Sequence, residues 1–112
     1  MTTTAISLTP VCAVDAIPLE GGVAALVDGS AVAVFRSFDG SVFALSNVDP
    51  FSGASVLSRG IVGTRGEVPV VVSPMHKQAF DLRTGECLDQ PGVSVPVYEV
   101  RLRDDVVEVA VG

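Results

Sequence analysis

The sequence is poor in the residues on which metal, nucleic-acid and membrane sites depend. Its 112 residues include one histidine, two cysteines, no tryptophan, five phenylalanines and one tyrosine. Lysine and arginine total 7 against 13 acidic residues, for a net charge of −6, whereas a phosphate-binding surface needs clustered cations. Apolar stretches such as residues 68–72 stop far short of the roughly 20 residues that a membrane helix requires. We therefore expect no nucleic-acid partner and no membrane span.

The two cysteines also limit the cellular setting. Cys12 and Cys87 are far apart, and neither belongs to a Cys-x-x-Cys pair. The N-terminal residues 1–4 lack the charged and apolar regions of a secretion signal. Unpaired thiols in an acidic chain fit a reducing compartment. We expect free thiols and a cytoplasmic location.

What the sequence does contain predicts an all-β domain. Apolar residues make up 48% and charged residues 18%, enough for one core, so we expect residues 1–112 to form a single domain. Asp28-Gly29 and Asp39-Gly40 separate alternating apolar segments and predict hairpin turns. About eight or nine short antiparallel strands follow along the chain, typical of a sandwich or small barrel.

Three local predictions go with this fold. Residues 46–67 contain Pro50 and several glycines without a sustained period, which indicates a long loop with at most one helical turn at residues 54–57. Residues 95–102 predict a strand with Val95, Val97, Val100 and Leu102 turned inward. Residues 106–111 predict a final edge strand.

One stretch, residues 73–86, places the lone histidine in a loop between two strands and ends in a Thr-Gly turn. It resembles the second ligand loop of Rieske iron–sulfur domains, in which Cys-Pro-aromatic-His precedes Phe-Asp-x-x-Thr-Gly. Residues 45–50 stand where that family carries its first loop, Cys-x-His. The positions that match are Pro74, His76, Phe80, Asp81, Thr84 and Gly85. The resemblance implies a Rieske-like fold with two loops at one tip.

The resemblance also shows what has been lost. A Rieske cluster needs two thiolates on one iron and two imidazoles on the other. The thiolate positions hold Asn47 and Ser73, and the imidazole positions hold Asp49 and His76. An amide and a hydroxyl cannot replace thiolates around a soft iron–sulfur core, and a carboxylate is a poor substitute for an imidazole. We expect a degenerate site without cluster, other metal or catalytic residue in this chain.

Four longer runs extend the similarity along the chain: N-V-D-P-F-S-G-A (47–54), L-S-R-G-I-V-G (57–63), S-P-M-H-K-Q-A-F-D-L (73–82) and T-G-E-C-L-D (84–89). In these runs the chain resembles the small subunit of assimilatory NADH-dependent nitrite reductase. The resemblance implies an accessory chain, inactive alone, that supports or regulates a large subunit carrying FAD, a [4Fe-4S] cluster and siroheme. The implied reaction of the complex is the reduction of nitrite to ammonium in nitrate assimilation.

The roles of the loop residues stay open at this point. Phe51 and Met75 either form a docking patch for the large subunit or fill the space that a cluster would occupy. In the docking alternative, Arg59, His76 and Lys77 are further contacts.

The remaining polar residues also have more than one interpretation. Asn47 and Asp49 are the kinds of residue that bond nearby backbone amides and shape a turn. Two alternative functions are a [2Fe-2S] electron-transfer protein with altered ligands, and a binding module or small enzyme that uses His76 with Asp49.

Overall fold

The structure is a computed structural model, and it describes residues 8–75 and 77–111. Within these residues nine strands form two antiparallel sheets, which confirms the all-β prediction. Short 3₁₀ turns lie at Val14–Ala16 and Leu57–Arg59. In the described part of the chain no helix is long and apolar enough to cross a membrane. The strands are β1 (Thr9–Ala13), β2 (Gly21–Val27), β3 (Ser30–Arg36), β4 (Val42–Ser46), β5 (Ile61–Arg65), β6 (Val68–Val72), β7 (Ala79–Asp81), β8 (Val97–Arg103) and β9 (Val106–Ala110).

The larger sheet has six strands in the order β1-β9-β8-β4-β3-β2, and its end strands β1 and β2 approach each other, so it nearly closes into a barrel. The predicted Asp28-Gly29 turn joins β2 to β3, with φ of 49° and 81°, as a two-residue hairpin turn requires. The smaller sheet has the order β5-β6-β7.

Strand β3 lies between two apolar cores. Val32 and Val34 pack into one core, inside the curved sheet, while Ala33 and Phe35 pack into the other, against the smaller sheet. Side chains alternate across a strand, so burial of both faces explains why β3 is apolar without interruption. The core inside the curved sheet also contains Ile17, Val27, Ala44, Val107 and Val109; the other also contains Leu45, Leu57, Val62, Val71, Phe80, Leu82, Cys87 and Val95.

The predicted loop at residues 46–67 is shorter than expected because it contains β5. This strand pairs along its length with β6 through the turn at Gly66, where φ is 66°. Glycines at positions 60 and 63 hide the strand in the sequence, and pairing with the strongly β-forming β6 overrides their poor propensity. The helical turn lies at Leu57–Arg59 and not at residues 54–57.

Two predictions about the C-terminal hairpin are wrong. Strand β9 lies between β1 and β8, so it is not an edge strand. Val97 is 42% exposed because β8 turns the alternate residues Tyr98 and Val100 towards the core, and Val100 is therefore inward as predicted. Leu102 lies near the end of β8 and is 54% exposed. Val95, just before β8, is buried as predicted.

Candidate functional site

Two loops meet at one end of the molecule, and we call them together the tip. The first loop (residues 47–56) leaves β4, and the second loop (residues 73–78) joins β6 to β7. The Ser73 hydroxyl donates a hydrogen bond to Asp49 Oδ2, and both residues are fully buried. A direct polar contact between side chains therefore joins the two loops.

Asp49 also organises the backbone of its own loop. Its Oδ1 accepts hydrogen bonds from the amides of Phe51 at 2.7 Å and Ser52 at 3.2 Å. The backbone closes the same turn, since Gly53 N–H donates to the Asp49 carbonyl at 2.7 Å and Asp49 N–H donates to the Ala54 carbonyl at 2.8 Å. The carboxylate thus shapes the turn, as residues of its type do.

Asn47 fixes the far end of the first loop. Its side-chain oxygen accepts from the Ser58 amide at 2.7 Å, and its carbonyl accepts from the Leu57 amide at 3.1 Å. The side chain is 4% exposed and caps a 3₁₀ turn eleven residues further along the chain. A buried amide with its acceptor in use has a structural role.

The second loop is a tight turn closed by its own backbone. Ser73 N–H donates to the Gln78 carbonyl at 2.9 Å, and Lys77 N–H donates to the Ser73 carbonyl at 3.0 Å. Lys77 has φ of 61°, a left-handed conformation that is unfavourable for a residue with a Cβ. His76 lies outside the described residues.

The structure separates the residues that the sequence grouped as one possible docking patch. Phe51 is half-buried and its ring packs against Phe80, with centroids 6.3 Å apart. Met75 is 48% exposed, and Arg59 and Lys77 are also exposed. Phe51 therefore belongs to the core beneath the tip, whereas the other three face solvent.

The donor set of the tip does not fit an iron–sulfur cluster. The amide of Asn47, the carboxylate of Asp49 and the hydroxyl of Ser73 are hard oxygen groups, and each is engaged by a protein hydrogen bond. Among residues 8–75 and 77–111 no three His, Cys, Asp or Glu side chains converge as metal ligands do. Cys12 and Cys87 are free thiols, as predicted; Cys87 is buried in the core, and burial raises the pKa of Cys12.

Sequence reasoning missed one residue that supports the second loop. Asp89 Oδ2 accepts from the Ala79 amide at 2.8 Å, directly after that loop, and Oδ1 pairs with the Arg65 guanidinium at 2.8 Å. The Arg65 hydrogen bond, with the Ala79 amide, lowers the pKa of the Asp89 carboxyl. Only the recurrence of Asp89 in the 84–89 motif could have pointed to it.

Comparison with known proteins places this architecture in a class. The family described as Rieske-like [2Fe-2S] domain matches this chain over residues 7–110. The chain belongs to this family.

Individual relatives show to which branch of the Rieske-like family the chain belongs. The NADH nitrite reductase small subunit of Escherichia coli K12 is 43% identical over 99 residues, which cover 88% of this chain and 92% of that one. A crystal structure assigned as the NADH-dependent nitrite reductase small subunit of Mycobacterium tuberculosis is 55% identical with a TM-score of 0.89, covering 93% and 94%. Within the Rieske-like family the chain is one of the nitrite reductase small subunits.

A further relative differs in length. The nitrite reductase [NAD(P)H] large subunit of Klebsiella oxytoca is 39% identical over 94 residues, which are 84% of this chain but 10% of that protein. A domain like this one is thus part of a large subunit in that organism.

Proposed function

We propose that this chain is the small subunit of an NADH-dependent nitrite reductase and acts by binding the large subunit. The observation that carries the proposal is the Klebsiella oxytoca protein, in which a domain 39% identical to this chain is continuous with a large subunit. Domains that are joined in one protein and separate in another commonly work in one complex. The reaction we assign to that complex is the reduction of nitrite to ammonium in nitrate assimilation.

We further propose that the chain carries no cluster and that the tip has a structural role. The hydrogen bonds of Asp49 and Ser73 connect the loops at the positions where a Rieske domain has ligands. The FAD, [4Fe-4S] cluster and siroheme of the complex would then all belong to the large subunit. Phe51 packs on the core, which gives no support to the docking contact proposed for it. His76 lies outside the described residues, and its contact with the large subunit stays a prediction.

The location and domain organisation are part of the same proposal. Free thiols at Cys12 and Cys87 support a cytoplasmic protein. The two cores share β3, which supports a single domain over residues 1–112.

Copurification tests the association. A tagged copy of the chain, expressed in its own organism during growth on nitrate, should recover a flavin-containing partner together with NADH-dependent nitrite reductase activity. The same tag on an unrelated domain is the control. Recovery of the chain alone under gentle conditions would contradict the proposal.

Iron content tests the second part. The purified chain should be colourless and contain fewer than about 0.1 iron atoms per molecule, because its oxygen donors are poor ligands for an iron–sulfur core. Visible absorption with about two irons per chain, as a [2Fe-2S] centre requires, would support the electron-transfer alternative instead.

A further inference from the structure

Positive charge is concentrated in one segment of this acidic chain. Residues 47–80, which include both loops of the tip, contain three basic residues, Arg59, Arg65 and Lys77, and two acids, Asp49 and Glu67. The remainder of the chain contains four basic and eleven acidic residues. The part of the chain that carries the tip is therefore net positive, while the rest is strongly negative.

Two of these cations have no acidic partner within the described residues. Arg65 pairs with Asp89, and the other ion pairs there are Arg83 with Asp81 and Arg101 with Glu99. Arg59 and Lys77 make no such pair and are both exposed.

One other arginine resembles them but lies elsewhere. Arg103 also lacks an ion pair among the described residues, yet Asp104 and Asp105 follow it directly. It stands at the end of β8, while Val97 at the start of that strand pairs with Leu45. Seven residues of strand span about 20 Å, so Arg103 lies far from the tip.

Arg59 and Lys77 line the same cleft, whose volume is about 260 Å³. Its apolar wall includes Ile61, which is 74% exposed, and Met75 follows the cleft residue Pro74. Exposed aliphatic side chains beside cations that lack an acidic partner among the described residues match a protein interface with an apolar centre and a charged rim. We call this the Arg59–Lys77 cleft; its lining is completed by Gly60, Val72 and Ser73.

The cleft is built on rigid supports. A Cβ at Gly60 would lie 2.4 Å from the Val72 carbonyl oxygen, so the start of β5 lies directly against β6. Lys77 is held in its left-handed conformation by the hydrogen bond to Ser73, whose hydroxyl is bonded to Asp49. A preorganised surface loses little conformational entropy on binding.

We propose that the Arg59–Lys77 cleft binds an acidic segment of the large subunit, with carboxylates on the two cations and an adjacent apolar side chain on Ile61 and Met75. This rests on the proposed function, since it names the surface by which the small subunit docks. Two copies of this chain, each with a net charge of −6, repel one another at long range, which favours the large subunit over a second copy as the occupant. The guanidinium of Arg59 suits bidentate recognition of a carboxylate.

The test measures binding of the purified chain to the large subunit from the same organism by calorimetry. The double variant Arg59→Glu with Lys77→Glu should weaken binding at least about 30-fold, because each reversal puts like charges together at a desolvated interface. Raising the salt concentration should weaken the wild-type complex more than the variant complex. Ile61→Ser, on an exposed side chain, should weaken binding about 5- to 10-fold.

A matched control changes net charge equally but elsewhere. Arg101→Glu with Arg103→Glu should bind like wild type. The thermal unfolding of all variants is compared first, and if the double reversal unfolds the chain, Arg59→Gln and Lys77→Gln replace it.

The outcomes separate the two proposals. If the wild-type chain does not bind the large subunit, the proposed function fails. If it binds and the Arg59, Lys77 and Ile61 variants bind equally well, the function stands and the cleft is not the docking site. A wild-type dimer that these cleft variants convert to monomer, with large-subunit binding unchanged, would assign the cleft to a second copy and overturn the inference.

Discussion

The interior of the curved sheet and the polar groups beneath the tip are both buried, but they are held together by different interactions. Inside the curved sheet the side chains exclude water, and the backbone amides and carbonyls are hydrogen-bonded between neighbouring strands. This holds for Val34, Val107 and Val109. At the tip the backbone leaves the ladder, and the loop amides of Phe51 and Ser52 are satisfied by the carboxylate of Asp49. An irregular buried segment needs polar partners from side chains, whereas a regular sheet provides them from its own backbone.

The largest loss of stability should follow from a substitution in the apolar core. Phe35 is fully buried, packs into the core between the sheets and would contact any Cβ at Gly22. Phe35→Ala should lower the free energy of unfolding by about 3–5 kcal/mol, since it removes a large buried ring and leaves a cavity. Urea denaturation measures this. Phe38→Ala is the control, because Phe38 is 65% exposed and its loss should cost less than about 0.5 kcal/mol.

The next largest loss of stability should follow from removing the buried carboxylate at the tip. Asp49→Ala should cost about 2–3 kcal/mol, because the buried Ser73 hydroxyl and two partly buried loop amides lose their acceptor. Asp39→Ala is a matched control; Asp39 also accepts from a hydroxyl and an amide, but in an exposed turn where water replaces it.

A double-mutant cycle sharpens this result. Ser73→Ala and Asp49→Asn, each alone and the two combined, should reveal a coupling of about 1–2 kcal/mol in denaturant unfolding, as expected for side chains in direct contact. Additive effects would show that the contact between the loops does not hold the tip together.

The smallest predicted effect is on the loss of stability at acidic pH. The folded-state pKa of Asp89 is lowered by its hydrogen bond from Arg65, and that of Asp39 by its hydrogen bond from Ser37. Such carboxylates stabilise the fold above their unfolded pKa of about 4, and this contribution is lost as the pH falls through the lower folded-state pKa. Asp89→Asn should therefore reduce the fall in melting temperature between pH 7 and pH 3.

The control for the acid experiment lies in the other sheet. Asp104→Asn, in the exposed turn between β8 and β9, removes the same charge. An equal change in both variants would trace the acid sensitivity to net charge and not to the Arg65 contact.

The sequence predicts the curved sheet better than the tip. Asp28-Gly29 fixes the β2–β3 hairpin locally, because both residues adopt positive φ. By contrast, β5 exists only through its pairing with β6, and Asn47 is explained only by an amide eleven residues away.

The sequence likewise predicts the positions of the former ligands but not the contacts that these residues and the surface cations make. Alignment with a ligand motif locates Asn47, Asp49 and Ser73, but it cannot show that Ser73 bonds to Asp49 or that Phe51 packs on Phe80. The Arg59–Lys77 cleft depends on which cations find acidic partners, and that requires distances across the fold. Contacts between remote segments are what the sequence leaves undetermined.

Strand β3 forms a wall common to both cores, with alternate side chains in each. Two compartments that share a wall cannot lose their order separately, because opening either one exposes the strand that lines the other. The chain should therefore unfold in a single transition, and the amides of Val32 to Phe35 should be among the last to exchange with solvent. The tip is in this sense not a separate folding unit, because the core beneath it is lined by the same strand as the core of the curved sheet.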